Sequence, residues 1–181
     1  FVMTSAQELV ELAPGGSKLA VVGERINPTG KPRLKEALAS GAYDLAVSEA
    51  VAQVEAGADI LDINAGVPGI DEPRVLRELT ERLQATVSAP LQIDSSNPDA
   101  LEAACRSYAG RPLVNSVTGK AESLATVLPL AARYGATIVG LTLDETGIPP
   151  TAKARLAIAE RIIDAALGAG LRLEDIAIDC L

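Results

Sequence analysis

Residues 19–31 read LAVVGERINPTGK, and this stretch sets the pattern that the rest of the chain repeats. Residues 19–22 are apolar and uncharged, which favours a buried strand in a parallel sheet that is covered on both faces. The run ends in residues 23–30, where a charge pair, an amide and turn-forming residues stand at the carboxyl end of the predicted strand. We interpret Glu24 and Arg25 as a structural ion pair.

An apolar run followed by polar residues occurs five more times along the chain, with stretches of helical spacing between the runs. Such alternation of strand and helix predicts parallel strands joined by right-handed crossovers. We predict strands at residues 19–22, 59–64, 90–94, 113–117, 136–143 and 176–179, and helices at 32–40, 43–56, 71–87, 98–109, 122–134 and 151–168.

The residues before this pattern form a separate segment. We predict that residues 1–18 are an N-terminal extension, in which residues 5–13 make a short helix that ends at Pro14-Gly15-Gly16. Residues 19–181 contain no low-complexity segment or linker, so we assign them to one barrel domain.

Two α/β architectures fit the alternation, a doubly wound sheet and a (β/α)8 TIM barrel. The doubly wound sheet usually carries a glycine-rich phosphate turn, and neither GxGxxG nor GxxxxGK[ST] occurs here. In a barrel all strands end at one common mouth, where polar residues converge. We therefore predict a (β/α)8 TIM barrel of which this chain covers about six βα units. The polar residues at the six strand ends are Glu24, Asn27, Asp62, Asn64, Asp94, Asn115, Asp144 and Asp179.

A whole barrel takes about 250 residues, and this chain has 181. We therefore expect that Leu181 is not the natural carboxyl terminus and that the domain is incomplete there. The first and last strands of the six should then have open edges.

The composition excludes several kinds of chemistry. The chain has no histidine, which excludes His-based catalysis and His-ligated zinc within it. Cys105 and Cys180 cannot make a four-cysteine zinc site or a disulfide framework, so we expect no bound metal and a reducing cytoplasm. A net charge of -8 without a basic cluster argues against nucleic acid. No apolar run approaches the roughly 18 residues of a membrane span, and the start does not resemble a signal peptide.

An ordered set of short motifs carries a family resemblance. The motifs are residues 23–31 (GERINPTGK), 61–64 (LDIN), 93–97 (IDSSN), 114–116 (VNS), 140–142 (GLT) with 146–149 (TGIP), and 178–179 (ID). Together they resemble the pterin-binding barrel family, specifically the methyltetrahydrofolate:corrinoid methyltransferases and the folate domain of cobalamin-dependent methionine synthase. Dihydropteroate synthase belongs to the same superfamily, but its first-strand pattern, Asn-Val-Thr-Pro-Asp-Ser-Phe, does not match residues 25–29.

The resemblance implies that carboxylates at Asp94 and Asp179, with an amide at Asn115, hold the pterin's pyrimidine ring. This fits the chemistry, because a buried carboxylate can accept the ring N–H and the exocyclic amine together. A competing role for Asp94 is that of helix cap, but Asn97 is better placed to cap the helix that Pro98 opens.

Three further residues are candidates for substrate binding. Asp62 and Asn64 share one face of their strand, as Gln92 and Asp94 do on the next. Asp62 and Asn64 either contact the substrate or order the barrel mouth. Asn27, in the first strand-end motif, completes the predicted binding set.

The reaction that the resemblance implies is transfer of the N5 methyl group of methyltetrahydrofolate to the cobalt of a corrinoid. The implied partners are a corrinoid-binding protein or domain, which carries the cobalamin, and a second copy of the chain in a homodimer. The family's amide that serves N5 sits on the seventh strand, so we expect the catalytic group beyond Leu181. Two alternatives stay open, another pterin enzyme such as a dihydropteroate synthase relative, and a non-catalytic pterin-binding subunit.

Overall fold

The structure is a computed structural model, and it describes residues 1–13 and 19–181. Its centre is a six-stranded parallel sheet in which each strand pairs with its neighbours in sequence. This order is that of consecutive βα units of a TIM barrel, as predicted. The strands are β3 Val22–Ile26, β4 Ile60–Asn64, β5 Leu91–Asp94, β6 Leu113–Thr118, β7 Thr137–Leu141 and β8 Ile176–Asp179.

Helices cover the outer face of this sheet. Helix α3 shows why, because Val75, Leu76, Leu79 and Leu83 recur at helical spacing and none of them has exposed surface. They join the main core, which lies between the helices and the outward-facing side chains of the strands. The helices are α1 Pro32–Ser40, α2 Asp44–Glu55, α3 Glu72–Gln84, α4 Pro98–Ser107, α5 Ala121–Tyr134 and α6 Ala152–Gly168.

The first barrel strand differs from its prediction. Residues 19–22 were predicted as the strand, but β3 runs through the polar residues that follow them, and Leu19 and Val21 are 87% and 56% exposed. Pairing with β4 begins at Val22 and Ile60 and reaches Ile26 and Ile63. Because β3 pairs on one side within the described residues, its apolar start is not covered and its polar part can face solvent.

The predicted ion pair between Glu24 and Arg25 is wrong. Successive side chains of a strand point to opposite faces, so adjacent residues do not meet. Arg25 faces outward instead, where its Nε atom lies 2.7 Å from Oε2 of Glu49 in α2.

The sheet is open at both ends within the described residues. β3 and β8 each have one partner strand and do not pair with each other. The open edges that were predicted for the first and last strands are therefore confirmed. Apolar side chains are exposed beside them, among them Val22 and Ile178.

The helix predicted over residues 5–13 is wrong. Strands β1 (Val2–Thr4) and β2 (Leu9–Glu11) form an antiparallel hairpin there. The Ser5 Oγ atom accepts the backbone N–H groups of Gln7 and Glu8, which favours a turn over a helix. The glycine-proline stop predicted at residues 14–16 lies outside the described residues.

The hairpin closes the amino-terminal end of the sheet's inner side. Met3 and Val10 form a second small core with Ile60 and Leu113, the first residues of β4 and β6. The backbone of Thr4 also pairs with that of Arg111, just before β6. Apolar packing thus fills the end of the barrel that is opposite to the strand ends.

We expect Met3→Ala to lower the free energy of unfolding by about 2–5 kcal/mol, because Met3 has no exposed surface and truncation leaves a cavity. Urea unfolding measures this difference. Leu9→Ala is the matched control on the same hairpin, since Leu9 is 60% exposed and its truncation should change stability by less than about 0.5 kcal/mol. Equal effects of the two substitutions would contradict the role given to the hairpin.

Candidate functional site

The register of β4, β5 and β6 sets polar side chains side by side on the inner face of the sheet. Asn64 pairs with Asp94, and Asp94 pairs with Asn115. One layer nearer the amino ends, Asp62 pairs with Gln92. Because residues two apart on a strand share a face, the two layers lie directly above one another.

We call Asn64, Asp94 and Asn115 the upper layer, and Asp62 with Gln92 the lower layer. The Asn64 Nδ2 group donates to Asp94 Oδ2 over 2.9 Å, and Asn64 Oδ1 accepts the backbone N–H of Gly66 over 2.7 Å. Within the upper layer, the Asp94 carboxylate is therefore held in place by the neighbouring amide of Asn64.

Asp94 and Asn115 line a cavity of about 340 Å3 at the carboxyl ends of β5 and β6. Side-chain hydroxyls and one lysine surround them, with Glu122 and the starts of α4 and α5 at the rim. Such a cavity suits a polar ligand that offers both donors and acceptors. The hydroxyl and lysine residues of the lining are Ser95, Ser96, Ser116, Thr118, Lys120, Ser123 and Thr126.

The lower layer contains a carboxyl group in an unusual environment. Asp62 is 1% exposed, and its Oδ1 atom accepts a 2.5 Å hydrogen bond from Gln92 Nε2. Its Oδ2 atom is buried and has no hydrogen-bond partner among the described residues. Burial, reinforced by the charges of Asp94 and Glu24, raises the pKa of Asp62 to about 7, although the amides of Gln92 and Asn115 oppose the shift.

Burial also raises the pKa of Asp94. The negative charges of Glu24 and Glu72 add to this effect, and the hydrogen bond from Asn64 opposes it. The inner face is thus acidic, and the ionised form of Asp94 is costly there without a donor. A ligand that brings N–H donors to this face would stabilise it.

The structure brings together four of the six predicted binding residues, Asp62, Asn64, Asp94 and Asn115. Of these, Asp94 and Asn115 line the cavity, whereas Asn64 and the buried Asp62 do not.

Asp179 and Asn27 do not contact these layers. Asp179 ends the edge strand β8, is exposed, and accepts the backbone N–H of Leu181 over 2.7 Å. Asn27 closes the turn after β3, where its Oδ1 atom accepts the N–H of Thr29 over 3.0 Å.

Several residues of the site were not predicted as site residues, among them Gln92, Lys120 and the hydroxyl residues of the cavity lining. Gln92 carried a usable signal, because its spacing from Asp94 places both on one face. Lys120 carried no such signal, because lysines that follow a strand are common on protein surfaces. The helix cap was assigned correctly, since Asn97 accepts the N–H of Asp99 and begins α4.

Within residues 1–13 and 19–181, no group of three or more Cys, Asp or Glu side chains is arranged to hold a metal ion. None of the helices in the same part of the chain is long and apolar enough to cross a membrane.

Comparison with known proteins identifies the family. Residues 23–181 match the family described as pterin binding enzyme, and the chain belongs to it. It is 32% identical over 153 residues to the methionine synthase of Mycobacterium tuberculosis, which covers 82% of this chain. It is 31% identical over 150 residues to a methylcorrinoid:tetrahydrofolate methyltransferase of Eubacterium limosum, again over 82% of this chain.

Solved structures support the same assignment. The dihydropteroate synthase of Xanthomonas albilineans with 4-aminobenzoic acid superposes with a TM-score of 0.70 at 26% identity and covers 98% of this chain. This chain spans 64% of that structure, 55% of the methyltransferase and 13% of the methionine synthase. The fold and the family are therefore shown, and the homologues are enzymes.

The raised pKa of Asp62 predicts a pH dependence of stability. Its folded-state pKa of about 7 lies above the ordinary value of 3.8. The carboxyl therefore contributes its full stability below pH 3.8, and this contribution is lost as the pH rises through 7. One pKa unit is worth about 1.4 kcal/mol, so the loss amounts to a few kcal/mol.

Asp62→Asn keeps an acceptor for Gln92 and removes the buried charge. We expect this substitution to stabilise the protein at pH 8 by on the order of a few kcal/mol, and by clearly less at pH 5, which lies between the two pKa values. Urea unfolding at the two pH values checks this, with Asp164→Asn as a control because Asp164 is exposed. A difference between variant and wild type that is the same at both pH values would contradict the assignment.

Proposed function

We propose that this chain is the pterin domain of a methyltransferase that moves the N5 methyl group of methyltetrahydrofolate to the cobalt of a corrinoid. The observation that carries the proposal is the polar layer of Asn64, Asp94 and Asn115, which lies at the carboxyl ends of adjacent barrel strands. In TIM-barrel enzymes this end of the barrel holds the active site.

The chemistry of the layer matches the pyrimidine edge of a pterin. That edge presents a ring N–H and an exocyclic amine as parallel donors, and the Asp94 carboxylate can accept both. The Asn115 amide offers one donor and one acceptor to the rest of the ring. In the proposal Asp179 approaches the pterin from β8, while Asn27 completes the mouth from the loop after β3.

The residues of this chain bind and orient the substrate. Transfer of the methyl group leaves electrons on N5, and hydrogen bonding or protonation at that atom lowers the barrier. None of the site residues described above is assigned this task. The corrinoid, carried by a partner protein or domain, supplies the cobalt that accepts the methyl group.

The named relatives support the methyltransferase over the other pterin enzymes. The two relatives named above have names that refer to methionine synthesis or to methyl transfer with tetrahydrofolate. The structural similarity to dihydropteroate synthase favours a second candidate, a relative of that enzyme. Turnover of 4-aminobenzoic acid would single out this second candidate, and formation of methylcobalamin from methyltetrahydrofolate would single out the first.

Location and assembly belong to the same proposal. A cytoplasmic location fits the two free cysteines, Cys105 and Cys180. A homodimer and a corrinoid-binding partner are proposed from the family resemblance.

Substitution of the two proposed carboxylates tests pterin binding. Losing a charge-assisted hydrogen bond to a buried ligand costs on the order of 1.5–3 kcal/mol. Asp94→Ala and Asp179→Ala should therefore each weaken tetrahydrofolate binding by roughly tenfold or more. Isothermal titration calorimetry under anaerobic conditions measures the affinities.

Asp164→Ala serves as the control for a lost carboxylate, because Asp164 is exposed on α6 and away from the strand ends. Its affinity for tetrahydrofolate should equal that of the wild type. The pterin site would have to be abandoned if both variants folded and bound as tightly as this control.

A further inference from the structure

The side-chain amide of Asn64 has one defined orientation. A backbone N–H is only a donor, so the atom that Gly66 N–H meets at 2.7 Å must be the Asn64 oxygen. The Nδ2 group then faces Asp94 and donates to Oδ2 over 2.9 Å. The turn after β4 therefore fixes the orientation of the Asn64 side chain, so that its Nδ2 end faces Asp94.

This arrangement leaves the two oxygens of Asp94 in different situations. Oδ2 accepts the bond from Asn64, and Oδ1 accepts no hydrogen bond from the described residues. Asp94 also lines the 340 Å3 cavity, as Asn115 does. Asn64 does not line that cavity, so it is placed to act on a ligand through Asp94 and not by direct contact.

The charges around Asp94 make this hydrogen bond important. Glu24 of β3 and Glu72 of α3 place negative charge near it, and Asp62 lies one layer below. Glu122 of α5 and Lys120, the residue just before that helix, line the same cavity. Among the described residues, Asn64 is the side chain whose hydrogen bond favours the ionised form of Asp94.

We infer that Asn64 is a positioning residue, which holds Asp94 ionised and in one orientation so that its Oδ1 atom receives a donor of the bound pterin. The inference rests on the proposed function for the identity of the ligand. Of the two roles that the sequence left open for Asn64, it excludes direct contact with the substrate, because both ends of the amide are engaged within the protein.

Asn64→Asp is the informative substitution. It preserves shape and replaces the donor with a carboxyl group, so two carboxyls then share one proton. With that proton present, the new side chain can donate to Asp94 as the amide does. At higher pH both carboxyls are ionised and repel each other.

The wild type should bind tetrahydrofolate more tightly as the pH rises and Asp94 ionises, and should then reach a plateau. Asn64→Asp should show a bell-shaped profile instead, with affinity that falls at high pH. At pH 8 we expect binding to be weaker than wild type by roughly tenfold or more, with a smaller gap at the maximum of the bell. A merely structural defect would lower affinity without changing the shape of the profile.

Asn97→Asp is the matched control. It adds the same charge at the same end of the barrel, and aspartate can cap α4 as Asn97 does. The pH dependence of its tetrahydrofolate affinity should follow that of the wild type. Parallel profiles for Asn64→Asp and the wild type would overturn the inference.

A measurement without ligand separates this inference from the proposed function. Carboxyl carbon NMR titration of the unliganded protein, assigned with Asp94→Asn, gives the pKa of Asp94 directly. Asn64→Ala should raise that pKa, because it removes the opposing hydrogen bond. An unchanged pKa overturns the inference even if tetrahydrofolate binds. A raised pKa in a protein that does not bind tetrahydrofolate supports the inference and contradicts the proposed function.

Discussion

The register between β4, β5 and β6 is the constraint on which the site depends. A slip of one residue in any of these pairings would turn every side chain of that strand to the opposite face. Asp94 would then point into the apolar layer under the helices, and Ile93 would point into the cavity. The register is held because Leu61, Ile63 and Ile93 have no exposed surface and must face the core. Burial of the apolar side chains therefore fixes the direction in which the polar side chains of the same strands point.

The two ends of the inner face have opposite characters. At the amino end, Met3 and Val10 of the hairpin pack on the first residues of the barrel strands and exclude water. At the carboxyl end, Asp62 and Asp94 are held in partly or fully buried positions where burial raises their pKa values. Keeping such groups costs stability, which is typical of functional sites. Apolar packing at the amino end and in the core under the helices offsets this loss of stability.

Much of this arrangement follows from sequence pattern, and some of it does not. The apolar run that ends at Asp94 predicted its strand, the face it shares with Gln92 and its place at the barrel mouth. The hairpin was missed because three-residue strands carry too little periodicity, and its partner residue Arg111 is far away in sequence. The orientation of the Asn64 amide depends on where the turn after β4 directs one N–H group. The pKa of Asp62 depends on a layer formed by several strands, which no local pattern reports.

Backbone amide chemical shifts, recorded by NMR while tetrahydrofolate is added, test the proposed pterin site most directly. The amides of residues 64–66, 94–96 and 115–118, at the carboxyl ends of β4, β5 and β6, should shift and saturate together. The amides of the hairpin at residues 2–11, at the other end of the barrel, should stay unchanged. Saturable shifts confined to the hairpin end, or no shifts at any ligand concentration, would contradict the proposed site.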